Sequence, residues 1–357
     1  MKLIAAMSGG VDSAVAAARA REAGHDVIGV HLALSKNPKK YRSGARGCCT
    51  IEDSHDARRA ADRIGIPFYI WDMSDEFHEN VVENFLTEYA SGRTPNPCLR
   101  CNEKIKFAAV LDRATAMGFD GVVTGHYAIT KESDDGKLLY RAVDPLKDQS
   151  YVLAVLNREQ IKGAFFPLGD TTKDEVRKEA TARGLTVANK PDSHDICFVP
   201  SGDNAGWLRD RLGSEVGPIV DEQGEKLGEH NGAYTYTIGQ RRGLGITTPT
   251  ATGEPRYVLR IEPKSNTVVV GERESLAISR IEGERIIWCG PASGGELKRG
   301  FVQVRAHGEA HPCSYFESTG QLIAELDQPI FGLATGQAMV IYDGDRVVGS
   351  ATIAGTK

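Results

Sequence analysis

Buried-strand and amphipathic-helix patterns alternate through the first half of the chain. Lys2 to Met7 reads as a short apolar strand, and an Ala-rich helix follows from about Asp12 to Ala23, closed by Gly24. His25 to Leu34 predicts a second strand, Ile51 to Ile64 a helix and Pro67 to Trp71 a third strand. Ser74 to Ala90 has the pattern of a long amphipathic helix. A Pro/Gly loop over Ser91 to Pro97 precedes a helix from about Asn102 to Met117 and a strand from Gly121 to Thr124. Thr172 with Glu175 three residues on predicts a capping box that opens one more helix. Alternation at these lengths argues for a parallel sheet covered by helices on both faces.

The texture changes after about Gly202. Glycine becomes frequent, and short β-rich runs such as Tyr257 to Ile261, Thr267 to Val270, Val302 to Arg305, Ala338 to Tyr342 and Arg346 to Gly349 are separated by turn residues. Asp343-Gly344-Asp345 reads as the turn of a hairpin. The expected organisation is an α/β domain over 1–202, a small central domain over 203–273 and a β domain of barrel or sandwich type over 274–357.

Composition narrows the class. The 357 residues are 41% hydrophobic and 25% charged, as in an ordinary globular protein of two or three domains. The formal charge of -5 excludes a bulk basic coat for nucleic acid but leaves local basic patches open. No apolar run approaches the roughly 20 residues needed to span a bilayer, and the N-terminus is too short in apolar residues for a secretory signal. The expectation is a cytoplasmic protein with no membrane partner. Seven cysteines, an odd number in so long a chain, are not a disulfide scaffold.

Ser8-Gly9-Gly10-Val11-Asp12-Ser13 falls where the first strand turns into the first helix. Two glycines let the backbone approach an anion, and small hydroxyls with helix N-terminal N–H groups can cradle phosphate oxygens. Asp12 could hold Mg²⁺ beside those phosphates. The lysine of a G-x-x-x-x-G-K-[ST] loop is missing. The hexapeptide resembles the PP-loop of ATP pyrophosphatases, enzymes that cleave ATP between its α and β phosphates to adenylate an oxygen.

Cys98-Leu99-Arg100-Cys101 is a C-x-x-C at a loop-to-helix junction, where the helix N-terminus and nearby Arg100 and Lys104 favour thiolates. Cys197 stands far along the chain in the polar run Asp192-Ser193-His194-Asp195-Ile196-Cys197-Phe198. A four-ligand zinc site would want a second C-x-x-C or paired His. An Fe–S cluster held by Cys98, Cys101 and Cys197 and a sulfur-relaying couple of Cys101 with Cys197 both fit. Cys289 and Cys313 lie in the β region without charged company and read as structural; Cys48-Cys49 reads as structural or loop-packing.

Taken in order, these motifs carry a resemblance. They are Ser8 to Ser13, Cys48 to Asp53, Thr94 to Asn102 with Ile105-Lys106-Phe107, Thr124-Gly125-His126-Tyr127, Lys147 to Tyr151, Asp192 to Phe198 and Tyr236 to Gly243, reaching Gly336-Gln337 and Gly349 to Ile353. The chain resembles, essentially end to end, the MnmA family of tRNA-specific 2-thiouridylases. That resemblance implies a PP-loop domain like the adenine nucleotide alpha hydrolases, a small central tRNA-binding domain and a C-terminal β-barrel.

It further implies ATP binding by Ala6, Met7, Ser8, Gly9, Gly10, Val11, Asp12, Ser13, Leu32 and Gly125. The wobble uridine of a tRNA would be flipped out of its stack, because a stacked base cannot be reached, and its C2 oxygen adenylated. Cys197 would carry the persulfide, Cys101 would act as nucleophile, and the two would close a disulfide. Asn96, Pro97, Cys98, His126, Lys147, Asp148, Gln149, Arg241, Arg242 and Gln337 would contact the tRNA or its target base. The implied tRNAs are those for Lys, Glu and Gln, and the implied sulfur donor is a cysteine desulfurase or sulfur-relay protein. Some relatives carry Asp where this chain has Cys98, and the C-x-x-C form is also the one in which a [4Fe–4S] cluster is implied. Further basic candidates for RNA are Arg93, Arg100, Lys104 and Lys106. A PP-loop ligase for a small molecule and a non-catalytic RNA- or iron-binding module are the alternatives; neither accounts for phosphate loop and paired cysteines together.

Overall fold

The computed structural model describes residues 1–35, 51–192, 196–199, 202–246 and 253–357; Cys48, Cys49 and Ser193 to Asp195 lie outside the described residues. Five parallel strands form the first sheet: β1 (Lys2–Ala6), β2 (Asp26–Ala33), β3 (Phe68–Asp72), β4 (Gly121–Val123) and, after a hairpin described below, β7 (Ala164–Phe165). Their order is β3-β2-β1-β4-β7. Strand alternation sorts β1 between two cores. Leu3 and Ala5 pack with α1 (Val11–Glu22), α2 (Ile51–Ile64) and the helix Lys173–Ala182. Ile4 faces the other side, where Phe77, Phe85, Ile105 and Trp207 gather.

Alanine dominates the buried face of α1 (Ala14, Ala16, Ala17, Ala18, Ala20), which lets the helix lie close on the sheet. The capping box at Thr172 forms as expected, with the Thr172 hydroxyl taking the Glu175 N–H and Glu175 taking the Thr172 N–H. The two predicted long helices depart from α geometry. Ser74–Phe77 and Glu83–Ala90 are joined by a π turn over His78–Val82, and Pro97–Cys101 and Val110–Ala116 by a π stretch over Asn102–Ala109. The predicted start at Asn102 is five residues late, because Pro97 occupies the first turn and Asn96 caps it by accepting the Cys98 N–H at 3.0 Å.

A central sheet follows, built from β8 (Gly217–Val220), β9 (Lys226–His230), β10 (Tyr257–Glu262) and β11 (Thr267–Gly271) in the order β10-β11-β8-β9. The last region is a closed antiparallel barrel of β12 (Ala277–Trp288), β13 (Lys298–Gln303), β14 (Ala310–Ser318), β15 (Gln321–Phe331), β16 (Ala338–Asp343) and β17 (Arg346–Thr356), sealed where β12 pairs β17. The hairpin β5 (Ile129–Ser133) and β6 (Gly136–Tyr140) leaves the first domain and joins β17 by the pair Arg346 and Tyr140. A shared core fastens this junction: Leu99, Phe107, Leu139 and Tyr151 pack against Cys289, Val340 and Tyr342 of the barrel. Among the described residues no helix is long and apolar enough to cross a membrane.

Candidate active site

In the first sheet the strand order reverses direction beside β1, with β2 on one side and β4 on the other. In parallel sheets ligands bind at the carboxyl ends of strands at such a switch point. A cavity of about 440 Å³ opens there. Its floor is Ala6, Met7, Ser8, Gly10, Val11, Asp12 and Ser13, with Leu32 and Gly125 beside them. Nine of the ten predicted nucleotide residues therefore meet in one cavity. The tenth, Gly9, turns away from it.

Gly9 has φ +81°, and a side chain there would lie 2.2 Å from the Asp53 carbonyl oxygen. The loop can thus press against the first turn of α2. Gly125 is a close approach of the same kind, since a Cβ would sit 2.5 Å from the Ser13 nitrogen. Gly10 caps α1 without a side chain of its own to accept the first-turn N–H groups. Those donors and the positive end of the helix dipole are left for an anion. Ser13 fixes the loop's shape by accepting the Ser8 N–H at 3.2 Å and donating to the Gly10 carbonyl at 3.1 Å.

Charged side chains ring the cavity. Lys173, only 8% exposed, holds both carboxylate oxygens of Asp12 at 2.7 Å and Asp192 at 2.9 Å. Tyr127 donates its hydroxyl to Asp12 at 2.8 Å. Burial, then the Asp12 charge, pushes the Tyr127 phenol up, so it remains a donor. Lys147 and Arg177 each reach Asp192 at 2.8 Å. Burial opposes ionisation of Asp192, but hydrogen bonds from Lys147 and Lys173 outweigh it and hold the carboxyl at about 2. Lys190 binds the Gly9 carbonyl at 2.9 Å, Asp53 at 2.6 Å and Asp56 at 2.7 Å. Burial works against its charge, and the two carboxylates restore and raise its basicity.

Lys173 and Lys190 escaped the sequence reading. Lys173 follows a capping threonine, and Lys190 stands two residues before the Asp192 run; only proximity to those motifs marked them. His126, Lys147, Asp148 and Gln149 also line the cavity. His126 is buried and bonded to Thr124 through Nδ1 at 2.8 Å; burial and then the charge of Lys106 drive its pKa well down, so the ring is neutral. Asp148 is held by the Arg141 guanidinium and the Ala142 and Ser150 N–H groups, and Gln149 accepts the Tyr127 N–H. Both side chains shape the wall of the cavity.

Cys101 is buried and Cys197 half-buried, and both pack into the apolar cluster of Ile4, Phe85, Phe198 and Trp207 on one face of the sheet. Cys98, one helical turn from Cys101, is exposed. Among the described residues no three His, Cys, Asp or Glu side chains converge as a metal-binding group. Of the three thiols expected for a [4Fe–4S] cluster, that of Cys98 belongs to an exposed residue, Cys101 to a buried one and Cys197 to one between the two. Cys289 and Cys313 are buried, and burial pushes each thiol up to about 12; Cys313, expected to lie without charged company, has Arg299 and Asp327 near it.

Comparison with known proteins places this arrangement. The family model described as tRNA methyl transferase HUP domain matches residues 1–201, the tRNA methyl transferase PRC-barrel domain 205–272, and the aminomethyltransferase beta-barrel domain 279–353. A tRNA-specific 2-thiouridylase MnmA from Nocardioides sp. (strain ATCC BAA-499 / JS614) is 63% identical over 362 residues, covering 100% of this chain and 98% of its own. That from Thermobifida fusca (strain YX) is 63% identical over 358 residues, covering 100% and 96%. That from Streptomyces coelicolor is 61% identical over 359 residues, covering 100% and 95%. The chain belongs to the MnmA family.

The remaining residues carried over from MnmA relatives lie outside the cavity. Arg241 and Arg242 are exposed on a loop propped by Gln240, whose side chain accepts the Thr237 N–H and donates to the Arg242 carbonyl. Gln337 donates to the Thr94 carbonyl at 2.6 Å and so braces the loop leading to Asn96, Pro97 and Cys98. Of the other basic candidates, Arg93 pairs with Glu88 and Glu284, Arg100 with Glu103 and the Asn80 carbonyl, and Lys104 with Glu103. Lys106 lines the nucleotide cavity.

Proposed function

We propose that this chain catalyses ATP-dependent 2-thiolation of the wobble uridine (U34) of tRNA, giving 2-thiouridine, AMP and pyrophosphate. Membership of the MnmA family supports this reaction. The observation that carries it to this chain's residues is the juxtaposition around β1: an anion cradle at its carboxyl end, and Cys101 with Cys197 in the core under one face. A uridine carbonyl oxygen is a poor leaving group. In the first step it attacks the α-phosphorus of ATP, and pyrophosphate departs. The loop N–H groups with Lys173 and Lys147 stabilise the charge that develops on the phosphates. Asp12, whose carboxylate Lys173 holds in this structure, would hold Mg²⁺, which would neutralise phosphate charge.

In the second step the terminal sulfur of a Cys197 persulfide attacks the activated C2. The Cys101 thiolate then attacks the Cys197 sulfur, breaking its bond to the transferred atom. AMP leaves with the former C2 oxygen, the transferred sulfur is reduced by two electrons, and the two cysteines are oxidised to a disulfide that an external thiol reduces. Neutral His126, edge-on to Phe166 in the cavity wall, would contact the flipped base. The exposed Arg241 and Arg242 would meet tRNA phosphates. The substrates would be the tRNAs for Lys, Glu and Gln, the sulfur source a cysteine desulfurase or relay protein, and the compartment the cytoplasm. The domain limits we assign are 1–202, 203–273 and 274–357. Methyl transfer, which the description of the matching family model names, would leave the phosphate loop and the two thiols without a use.

The test is nucleoside mass spectrometry of an unmodified wobble-uridine tRNA incubated with the protein, Mg-ATP and a persulfide donor. Wild type should yield 2-thiouridine, and Cys101→Ser and Cys197→Ser should each lower the yield about a hundredfold or more while pyrophosphate still forms. ATP consumption without thiouridine in the wild type would favour a ligase acting on a small molecule.

A further inference from the structure

The buried ammonium of Lys173 bridges two carboxylates with different duties. One is Asp12 of the phosphate loop, at 2.7 Å to both oxygens. The other is Asp192, at 2.9 Å, five residues before Cys197. Lys147 and Arg177 complete the hold on Asp192, and Lys190, two residues earlier, is tied to the Gly9 carbonyl and to Asp53. Lys190 and Asp192, which precede Cys197 in the chain, are therefore anchored by ions and polar groups of the nucleotide site.

We propose that Lys173 is a positioning residue that couples occupation of the phosphate loop to the placement of Cys197. This rests on the functional reading above and deepens it. An ammonium has three donors, and all three directions here are committed to carboxylates. A polyphosphate bound at the first turn of α1 enters the same cavity and brings a higher charge than either aspartate. It competes for Lys173 and Lys147, and whatever they yield to phosphate is withdrawn from Asp192. Asp192 is only partly buried, with 22% of its side chain exposed; losing those two partners leaves it on Arg177 and frees it to shift. Cys197 would thus register the nucleotide before sulfur is released, which guards the persulfide from discharge at an unactivated base.

The experiment follows alkylation of each cysteine by iodoacetamide, read by peptide mass spectrometry, in the full chain with and without α,β-methylene-ATP and without tRNA. Cys289 serves as the internal control. In the wild type the analogue should change the Cys197 rate about fivefold or more, the low end of couplings between two sites. Asp192→Asn leaves Lys173 on Asp12. It should bind the analogue by calorimetry yet lose the Cys197 response, and Lys173→Met should lose the response with weaker binding. Partial rescue by Lys173→Arg would support the coupling. An unresponsive wild type, or an Asp192→Asn protein that keeps the full response, overturns it. Because no tRNA is present, a failure to make 2-thiouridine would strike the proposed function alone.

Discussion

His126 shows how burial settles the chemistry of a single side chain. Its ring is held neutral by burial and by Lys106, far below the ordinary 6.5. A histidine whose folded pKa is depressed contributes its full stability above the unfolded value, and that contribution is lost as pH falls below about 6.5, where the unfolded chain takes up a proton that the folded chain refuses. The slope is about 1.4 kcal/mol per pH unit for one proton. His126→Asn should flatten the decline of the urea midpoint between pH 6.5 and 5; an unchanged slope would mean that the ring is already charged in the native state. The cysteines divide by the same logic. Cys289→Ala and Cys313→Ala remove thiols whose pKa stands near 12, so thiolation should persist while thermal scans report a loss of about 1–2 kcal/mol. Loss of activity in either would contradict a structural role. At this scale the phosphate loop and the C-x-x-C were legible as candidates because their spacing is itself the signal. Lys173 and Lys190 were not, since an ammonium becomes part of a site only when the fold brings distant carboxylates around it.

Among the elements, the two helices with π turns carry the most consequence. A π turn widens the helix and leaves a main-chain carbonyl short of its usual partner. Arg100 fills that need by donating to the Asn80 carbonyl at 3.1 Å, while its other nitrogen holds Glu103 at 3.0 Å. The C-x-x-C helix is thereby locked to its neighbour at the point where Cys101 enters the π stretch. Arg100→Met should cost about 1–3 kcal/mol and lower kcat with little change in the KM for ATP; an altered ATP KM with normal kcat would place Arg100 at the nucleotide instead. Gly125→Ala belongs here too, because its methyl would meet the Ser13 nitrogen at 2.5 Å. It should abolish nucleotide binding in calorimetry while far-ultraviolet circular dichroism stays native. Periodicity foretold both helices but not their π turns, because the apolar spacing of one wide turn is indistinguishable from local noise. The hairpin of β5 and β6 was missed for a related reason: Lys131-Glu132-Ser133-Asp134-Asp135 shows no apolar alternation, and its partner strand lies two hundred residues away.

At the scale of the molecule, the catalytic domain and the barrel are not independent bodies. Arg141 stacks on Tyr342, Tyr151 donates to the Ala338 carbonyl at 2.8 Å, and Ser350 donates to the Ala154 carbonyl at 2.8 Å. Leu99 and Phe107, on the helix that bears Cys101, end in the same core as Val340 and Val347. A chain cut after residue 272, where the second family match stops, exposes this core and should aggregate or unfold at a markedly lower temperature. A monomeric, cooperatively folded fragment would show that the barrel is dispensable. The broad order of the domains was readable from the shift in texture near Gly202, whereas their mutual burial was not, since each half carries its own hydrophobic pattern and neither announces the other.

The strand that receives the β5–β6 hairpin is β17, through the pair Arg346 and Tyr140. During synthesis the phosphate loop and both thiols are made well before it. Domains generally fold as they emerge, but this hairpin keeps an open edge until β17 follows. The order of translation therefore sets the nucleotide half of the molecule down first and leaves its outlying hairpin to be closed by a strand made two hundred residues later.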